Sequence, residues 1–446
     1  MKLQDELFDV IVVGGGAAGM MAAGTAGKLG KKVLILEKNR RLGEKLRITG
    51  GGRCNVTNAE FDVHKLLAHY GPASDFLYSP FARFGVQSTF DLFTSLKLPL
   101  VVQARNRAFP RTEKASDVER AMEKFIKDNG VLIKENCPVK NIITENIHLE
   151  NSDALNENNT NKKTKDVLQQ KITAVETNQG IFRAKAFILA TGGVSHPETG
   201  STGDGFEWLR ELGHTVKKPT PTIVPIEVED AWVKMLAGTS LSFMKITFWC
   251  ETENKDGTIV AKKAFSETGK ILFTHFGLSG PLILNAAGKV NDLLTSGAVT
   301  ATIDAYPDTD LGALDRTITA TFDKYKNKDL KNIFKEVCPE GTADGIMTLV
   351  SFDTTKKVHS VTRDERKEIA RLLKALPVRI VGLMGFDRAV VADGGVPLTE
   401  IDMKTMRSKI LSNLYLTGDL LHVNRPSGGY SLQLCWTTGF VAGENA

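Results

Sequence analysis

The sequence lacks several features that would each point to a particular kind of protein. Its five cysteines are widely spaced and form no C-x-x-C pair, which argues against a dithiol redox centre and against a zinc site. No apolar run approaches the roughly 20 residues that span a bilayer. Residues 1–6 (MKLQDE) lead straight into a strand pattern, so we expect no signal peptide. We therefore expect a cytoplasmic protein without a membrane anchor or a bound metal.

A large excess of charge of one sign is also missing. The 57 basic residues are interspersed with 52 acidic ones, and the net charge of +5 over 446 residues does not by itself indicate a nucleic-acid partner. Hydrophobic residues make up 42% of the chain, which is typical of a globular protein, and the length suits two or three domains. We expect a small-molecule substrate, and the composition leaves the oligomeric state open.

The strongest pattern that is present occupies the first 37 residues. An apolar run at 9–13 predicts a strand, and the turn Gly14-Gly15-Gly16-Ala17-Ala18-Gly19 follows it. A small-residue helix then continues to Leu29, and a second apolar run at 33–36 ends on Glu37. A G-x-G-x-x-G turn inside such a βαβ unit predicts a dinucleotide site.

Each part of this pattern has a physical role in such a site. Gly14 permits the tight turn, Gly16 lets the backbone approach a pyrophosphate, and Gly19 lets the helix pack against the strand. The helix N-terminus offers free N–H groups to the phosphates, and Glu37 accepts hydrogen bonds from ribose hydroxyls. The alternative is a glycine-rich turn in an unrelated α/β protein, and the flanking strand, helix and acid argue against it.

A second pattern near the C-terminus distinguishes FAD from NAD. An apolar strand at 414–416 runs into Gly418-Asp419, and a glycine-rich turn at 426–430 precedes a helix predicted over 432–442. Asp419 can accept from a ribityl hydroxyl, and the helix N-terminus can face the flavin pyrimidine. Alone, this pattern could be any junction of a strand and a loop. Together with the first fingerprint and the run 190–193, it favours FAD.

The glycine run 50–52 is the third candidate element of the site. Three successive glycines let a backbone lie flat against a ring system, with its N–H groups near the flavin N5 edge. The alternative is a surface turn without a ligand.

The order of the patterns predicts an α/β protein with a discontinuous nucleotide-binding domain. We place its first part at 1–218, an inserted β-rich α+β domain at 219–376, and its second part at 377–446. An amphipathic helix is expected over 116–129, with Ser116 as its N-cap and Glu119 three residues on. The polar stretch 150–171 predicts a long loop or insertion.

Several of these segments resemble known flavoproteins. The strand ends with Ala190-Thr191-Gly192-Gly193 and Thr417-Gly418-Asp419 resemble the glutathione-reductase-like class, and the first, with 201–206, resembles its fumarate reductase branch. The segments 49–58 (TGGGRCNVTN), 109–118, 272–281 and 428–433 (GGYSLQ) resemble the bacterial NAD(P)/FAD-dependent oxidoreductases called aminoacetone-oxidase-like or BaiN-like. The chain departs from that family in Asp419, where many members have Glu, and in the 150–170 insertion.

The resemblance implies non-covalent FAD and assigns residues to it by position. The ADP half would be held by Gly14, Gly16, Ala17, Ala18, Gly19 and Glu37, with Lys38, Lys45 and Arg53 on the phosphate side and the Val139 backbone at the adenine. The pyrophosphate and ribityl parts would meet Thr191, Gly192, Gly418 and Asp419. The ring would meet Gly51, Gly52, Arg53, Cys54 and Asn55, and its pyrimidine end Gly429, Tyr430 and Ser431.

A catalytic group is not identified by the sequence. His196, Arg53 and Cys54 are weak candidates, as is His275, and Arg53 or Arg425 could bind an anionic substrate. Cys54 has no second thiol within a few residues, so we expect it to be a packing residue.

The resemblance implies an enzyme that reduces an activated C=C bond of a small or steroid-like substrate with electrons from NAD(P)H. No second G-x-G-x-x-G follows a strand, so any nicotinamide is expected to dock transiently near the flavin. Three alternatives stay open: an amine oxidase of the aminoacetone type, a tRNA-modifying flavoprotein, and a flavin redox sensor without turnover.

Overall fold

The computed structural model describes residues 6–148, 168–253 and 257–446. The chain divides into a first unit, Met1–Thr220 with Val391–Ala446, and a second unit, Pro221–Val390. The predicted polar loop at 150–171 lies outside the described residues up to 167, and a strand begins at Leu168.

The first unit contains most of the strands. Its strands up to the second unit are β1 (Leu7–Val13), β2 (Val33–Leu36), β3 (Thr57–Asn58), β4 (Leu100–Gln103), β5 (Arg107–Pro110), β6 (Leu132–Lys134), β7 (Val139–His148), β8 (Leu168–Thr177), β9 (Gly180–Leu189) and β10 (Lys217–Thr222). The helices of this segment are α1 (Ala17–Lys28), α2 (Glu44–Ile48), α3 (Val63–Ala68), α4 (Ser74–Arg83), α5 (Val86–Ser95), α6 (Ala115–Asp128) and α7 (Asp204–Glu211).

The second unit combines longer strands with six helices. Its strands are β11 (Ile226–Val228), β12 (Ser240–Glu253), β13 (Ile259–Thr274), β14 (Gly277–Ser279), β15 (Val299–Asp304) and β16 (Leu376–Leu383). Its helices are α8 (Ala231–Met235), α9 (Pro281–Leu294), α10 (Leu311–Lys324), α11 (Leu330–Ile333), α12 (Ala343–Met347) and α13 (Arg363–Lys374). The chain then returns to the first unit with β17 (Val391–Gly395), β18 (Leu414–Leu416) and α14 (Tyr430–Asn445).

The main sheet of the first unit is largely parallel. Its order is β6-β2-β1-β9-β8-β7, and β18 pairs in parallel with the C-terminal half of β9. The strands β6, β2, β1, β9 and β18 are parallel, while β8 runs antiparallel to both β7 and β9. Residues 10–13 of β1 and all of β2 are buried, as expected for strands covered on both faces. This arrangement confirms the predicted Rossmann-like α/β class.

Small residues let two helices of the first unit pack closely together. Helix α1 is almost entirely buried and consists mainly of Ala, Gly and Met, and it packs along α14. The short sheet β3-β5-β4 is a separate antiparallel layer of the same unit. The two-stranded pair β10-β17 completes the sheets of this unit.

The second unit is a closed six-stranded barrel, in the order β11-β14-β13-β12-β15-β16. Alternating burial along β15 places one face of the strand in the barrel core. Helix α13 begins with a capping box, in which Thr362 Oγ1 accepts from the Glu365 N–H and the Glu365 carboxylate accepts from the Thr362 N–H. This unit is the β-rich α+β insertion that the sequence predicts.

Two predictions about boundaries differ from the structure. The strand at 376–383 pairs with β15 and β11 in the barrel, so the insertion extends beyond 376 to Val390. The helix expected to start at Ser116 starts at Ala115, after an N-cap Lys114 that makes no side-chain cap. Glu119 does not reach back to a cap, because its carboxylate pairs with Arg47 at 2.7 Å.

Candidate active site

The candidate site lies where parallel strands of the main sheet end. Strands β1, β2, β9 and β18 run in parallel, so their carboxyl ends share one edge of the sheet. Gly14 and Glu37 directly follow the ends of β1 and β2, and Thr191 and Gly418 lie two residues past the ends of β9 and β18. Such an edge is where open α/β sheets bind their ligands. The fold therefore brings four separate predictions from the sequence to one place.

The turn after β1 has the close approaches that its glycines allow. Gly14 has φ +101°, and a Cβ atom there would lie 2.6 Å from the carbonyl oxygen of Ala190. At Gly16, by contrast, no heavy atom lies within 4 Å of the position a Cβ atom would take. The first turn of α1 contains no acidic residue. The N-terminus of a 12-residue helix is thus open to an anionic group.

Glu37 is held firmly beside this turn. Its Oε2 accepts from the Gly15 N–H at 2.7 Å, and its Oε1 accepts from the Asn39 N–H at 2.8 Å. Burial raises the pKa of the Glu37 carboxyl, and this effect outweighs the two hydrogen bonds, which lower the pKa. The Cys137 N–H donates to the Glu37 carbonyl at 2.8 Å, and Val139 follows two residues later. The proposed adenine contact therefore lies close to the proposed ribose contact.

The two lysines assigned to the phosphate side differ in their surroundings. The Lys38 amine already binds the Asp204 carboxylate at 2.8 Å and Thr202 Oγ1 at 2.5 Å. Lys45 Nζ lies 3.4 Å from Ser195 Oγ, and burial lowers its pKa against the attraction of Asp419. Lys45 is the better placed of the two, because its charge lies near the end of β18.

The glycine run after α2 adopts a conformation that suits a flat ligand. Gly51 and Gly52 have φ of +68° and +83°, are exposed, and have no heavy atom within 4 Å of where a Cβ atom would stand. The next residues turn inward. Cys54 is fully buried with φ +59°, and burial raises the pKa of its thiol to about 12. A thiol with this pKa is protonated near neutral pH, so we do not assign Cys54 a nucleophilic role.

The C-terminal part of the site is organised by Arg425, which the sequence suggested only as a possible anion-binding residue. This guanidinium is buried and binds the Asp419 carboxylate, Ser431 Oγ at 3.0 Å and the Val423 carbonyl at 2.7 Å. It thus ties the strand end to the first turn of α14. Because these contacts satisfy Arg425, we do not propose it as an anion-binding residue.

Close packing also fixes the turn before α14. A Cβ atom on Gly429, where φ is +103°, would lie 2.5 Å from the backbone nitrogen of Asn58. The Tyr430 carbonyl accepts from Tyr70 Oη at 2.9 Å. Gly418 lies near α1, since a Cβ atom there would be 3.3 Å from the Cβ of Ala18. The two glycine-rich turns of the predicted FAD site are thereby held in one arrangement.

His196 and His275 are the two histidines that the sequence offers as candidates for proton transfer. His196 has φ +52°, and its Nδ1 lies 2.8 Å from Glu198 Oε1. The same segment is tied at Thr199 to Asn39, so it lies on the Glu37 side of the site. His275 belongs to the second unit and is exposed, with its ring packed on Phe276. Neither contact assigns a catalytic role, so both histidines stay predictions from the sequence.

Buried polar atoms that lack hydrogen-bond partners indicate whether a cofactor would fit this site. Among the described residues, three buried side-chain oxygens have no hydrogen-bond partner: Asn55 Oδ1, Thr191 Oγ1 and Asp393 Oδ1. Asn55 and Thr191 are both residues that the resemblance assigns to FAD. Buried polar groups are rarely left unpaired in folded proteins. Together with the open space at Gly16, Gly51 and Gly52, these oxygens fit a bound dinucleotide.

Other kinds of site find less support in the part of the chain that the structure describes. Within these ranges, no group of three or more His, Cys, Asp or Glu side chains is arranged to hold a metal ion. None of the described helices is both long and apolar enough to cross a bilayer. All five cysteines are free thiols.

A Rossmann sheet with these turns at its carboxyl edge is the fold of the flavoprotein oxidoreductases that the sequence motifs resemble. The chain belongs to the HI0933-like protein Rossmann domain family, which matches residues 8–445. This membership agrees with the flavoprotein family that the sequence motifs resemble.

Several curated relatives align with nearly the whole chain. A 3-dehydro-bile acid Δ(4,6)-reductase of Clostridium scindens is 26% identical over 439 residues, covering 98% of each chain. A ribosomal RNA dihydrouridine synthase of Escherichia coli is 25% identical over 443 residues, covering 99% of this chain and 98% of the relative.

A solved structure shares the fold over a similar length. The 3-ketosteroid Δ1-dehydrogenase of Sterolibacterium denitrificans aligns with a TM-score of 0.52 and 12% identity, covering 98% of both chains. At this identity, the likeness concerns the fold alone.

Proposed function

We propose that this protein is a FAD-dependent reductase that adds hydrogen across a C=C bond conjugated with a carbonyl group, with NAD(P)H as the electron donor. The observation that carries the proposal is the joint occurrence of unpaired Asn55 Oδ1 and Thr191 Oγ1 with the open glycine turns at the sheet edge. Bound FAD would supply two-electron chemistry there.

The residues of the first unit would bind and orient the cofactor. Glu37 would accept from the adenosine ribose, and the first N–H groups of α1 would face the pyrophosphate, with Lys45 nearby. Asp419, oriented by Arg425, would accept from the ribityl chain. The exposed backbone of Gly51 and Gly52 would lie along the ring.

The reaction class is suggested by what the two curated relatives' names have in common. A Δ(4,6)-reductase acts on C=C bonds of a steroid nucleus, and dihydrouridine differs from uridine by reduction of the ring C=C bond. Both bonds are conjugated with a carbonyl group. A shared site for enone-type reduction accounts for both names, whereas an amine oxidase accounts for neither.

A small steroid-like molecule is the preferred substrate over RNA. Residues 221–390 contain 22 basic and 22 acidic side chains, so the insertion carries no excess positive charge to attract a phosphate backbone. RNA is kept as the second candidate because of the dihydrouridine synthase relative. We keep the cytoplasm as the proposed compartment, since all five cysteines are free thiols.

The test begins with the absorption spectrum of the purified protein and identification of the released chromophore. Under anaerobic conditions, NADH or NADPH should bleach the flavin band near 450 nm, and a 3-oxo-4-ene steroid should restore it with formation of the saturated ketone. Formation of dihydrouridine in a ribosomal RNA transcript, with inert steroids, would instead support the second candidate. Hydrogen peroxide on amine addition in air, or no reoxidation by any enone or RNA, would overturn the proposed reaction.

A further inference from the structure

One face of the short sheet β3-β5-β4, next to the proposed cofactor site, carries an arginine, two amides and an aromatic ring. Arg107 on β5 is paired with Asn58 on β3 and with Gln103 on β4. Directly opposite residues of antiparallel strands project to the same face, as do residues two apart on one strand. Asn58, Gln103, Arg107 and Phe109 therefore share a face, which we call the arginine face.

Arg53 joins this face from the glycine-rich segment. Its guanidinium carbon lies 4.3 Å from the centroid of the Phe109 ring. Its Nη1 lies 3.3 Å from Gln103 Oε1 and 3.5 Å from Glu113 Oε1. Stacking on an aromatic ring holds a planar guanidinium in place while its N–H edges stay available. Arg53 is thus oriented by weak contacts that leave donors for a further partner.

Arg107 lacks a partner where one is needed. Its side chain is half-buried, and across residues 6–148, 168–253 and 257–446 no hydrogen bond or ion pair of this guanidinium is found. Burial lowers the pKa of Arg107, and the charges of Arg105 and Arg53 lower it further. The Glu113 carboxylate lies 3.5 Å from Arg53 Nη1, a long distance for an ion pair. The face has more positive charge than its own acid balances.

The arginine face is continuous with the segments proposed to line the flavin. Arg53 directly follows Gly50–52, and Asn58 Nδ2 donates to the Gly428 carbonyl at 3.2 Å in the turn before α14. An anion held by Arg53 and Arg107 would therefore lie beside the proposed ring, on the first unit alone.

We propose that Arg53 and Arg107 bind an anionic group of the substrate, a carboxylate or a phosphate, on the arginine face. This inference rests on the proposed function for its location, and it adds the charge of the substrate to that function. Guanidinium groups bind carboxylate and phosphate oxygens through paired, charge-assisted hydrogen bonds. By binding the anionic group of the substrate, the arginine face would position a C=C bond that lies elsewhere in the same molecule.

The test compares Arg107→Gln with the wild-type holoenzyme on matched substrates. A 3-oxo-4-ene steroid ending in a carboxylate is paired with its methyl ester, and uridine 5′-monophosphate is paired with uridine. We expect Arg107→Gln to raise KM for one of the two anions about 10- to 100-fold, with little change for its neutral partner. Which pair responds identifies carboxylate or phosphate as the source of the charge. Equal effects on both members of each pair, or no effect, would overturn the inference.

Direct binding separates this inference from the proposed reaction. Titration calorimetry with the saturated steroid acid and with uridine 5′-monophosphate measures anion binding without turnover. Loss of that binding in Arg107→Gln would support the arginine face even if no enone is reduced. Unchanged binding in the variant would refute the face even if enones are reduced.

Controls address charge and folding. Arg120→Gln removes an exposed arginine that pairs with Asp117 on α6, and it should leave both substrate pairs unaffected. Arg107→Lys keeps the charge without the planar donor pair and should give an intermediate KM. If Arg107→Gln does not retain FAD, Arg107→Lys carries the same test with a smaller expected effect, and an equal change in KM for acid and ester would again count against the inference.

Discussion

Gly439 on α14 lies so close to Ala18 on α1 that a Cβ atom at position 439 would stand 2.5 Å from the Ala18 carbonyl oxygen. The contact sets the distance between two helices whose N-termini face the proposed cofactor. Helix α1 starts beside Gly16, and α14 starts beside Gly429. The spacing of the two glycine-rich turns therefore depends on glycine, which has no side chain, at position 439 within α14.

Gly439→Ala should consequently separate the helices and weaken the protein. We expect a loss of about 1–3 kcal/mol in the free energy of unfolding, the usual cost of forcing an extra methyl group into a packed core. FAD should also dissociate more readily, because both turns shift. Urea denaturation and fluorescence of released flavin measure the two effects. Gly382→Ala is the matched control, because no atom lies within 4 Å of the added methyl, and a similar loss in that variant would contradict the explanation.

Asn55→Ala should affect the cofactor more than the apoprotein. Asn55 Oδ1 is buried without a partner, so removing it takes no hydrogen bond from the apoprotein. If this oxygen binds FAD, affinity should fall by about 1–3 kcal/mol, roughly 5- to 150-fold. Equilibrium titration of apoprotein with FAD gives the affinity, and urea denaturation of apoprotein gives the stability.

Asn413→Ala provides the opposite control. The Asn413 side chain donates to the carbonyls of Ile172 and Lys185 and accepts from the Ile172 N–H, so its loss should destabilise the apoprotein by about 1–3 kcal/mol. FAD affinity of the folded fraction should stay unchanged. The reverse result for the two asparagines would rule out the assigned roles.

Cys54 should be inert in the native protein. Burial raises the pKa of the Cys54 thiol to about 12, so the thiol stays protonated at pH 8. Iodoacetamide at that pH should label it only after unfolding, when all five thiols become reactive. Mass spectrometry of the Cys54 peptide follows the labelling. Fast modification of the native protein, or loss of turnover in Cys54→Ala with FAD still bound, would restore Cys54 as a catalytic candidate.

A buried histidine should make the stability fall on acidification. His214 Nδ1 lies 2.7 Å from Glu400 Oε2, and Nε2 lies 2.9 Å from Ser408 Oγ. Burial lowers the pKa of His214, against the attraction of Glu400. Below about pH 6.5 the unfolded chain therefore binds a proton that the folded chain resists, and stability decreases as the pH falls.

The pH dependence expected from His214 is checked by measuring the free energy of unfolding of wild type and of His214→Gln from pH 8 to pH 5.5. His214 contributes a slope of at most about 1.4 kcal/mol per pH unit, and that contribution should disappear in the variant. The variant should be less stable at pH 8, because hydrogen bonds are lost, but flatter with pH. Parallel curves for the two proteins would show that His214 does not titrate as inferred.

The sequence predicted those parts of the site that depend on local backbone geometry. The turn Gly14–Gly19, Glu37 and the strand at 414–416 follow from short-range patterns, because strand, turn and helix impose their own spacing. The end of the insertion was misplaced for the opposite reason. The run at 376–383 reads as an apolar strand in either unit, and only its pairing with β15 and β11 decides which sheet it joins.

Long-range partners were likewise invisible in the sequence. The pairing of Arg425 with Asp419 rests on a turn whose shape is set by Gly418 and α14, and the Arg107 face depends on how three short strands align. A run with Arg105, Arg107 and Arg111 was the available signal for that face. Without the register of the sheet, nothing distinguished it from an ordinary exposed loop.

The order of the chain has a consequence for synthesis on the ribosome. The proposed cofactor site needs Asp419 and the turn before α14, which emerge only after the second unit has been made. At typical elongation rates, residues 221–390 take roughly 10–30 seconds to synthesise. The barrel can close from its own contiguous chain once β16 has been made at the end of that interval. Until β18 and α14 follow, the buried face of α1 and the half of β9 that pairs with β18 stay uncovered. The nascent first unit is therefore exposed to aggregation for that time, and the proposed cofactor site is complete only once Asp419 and the turn before α14 have been synthesised.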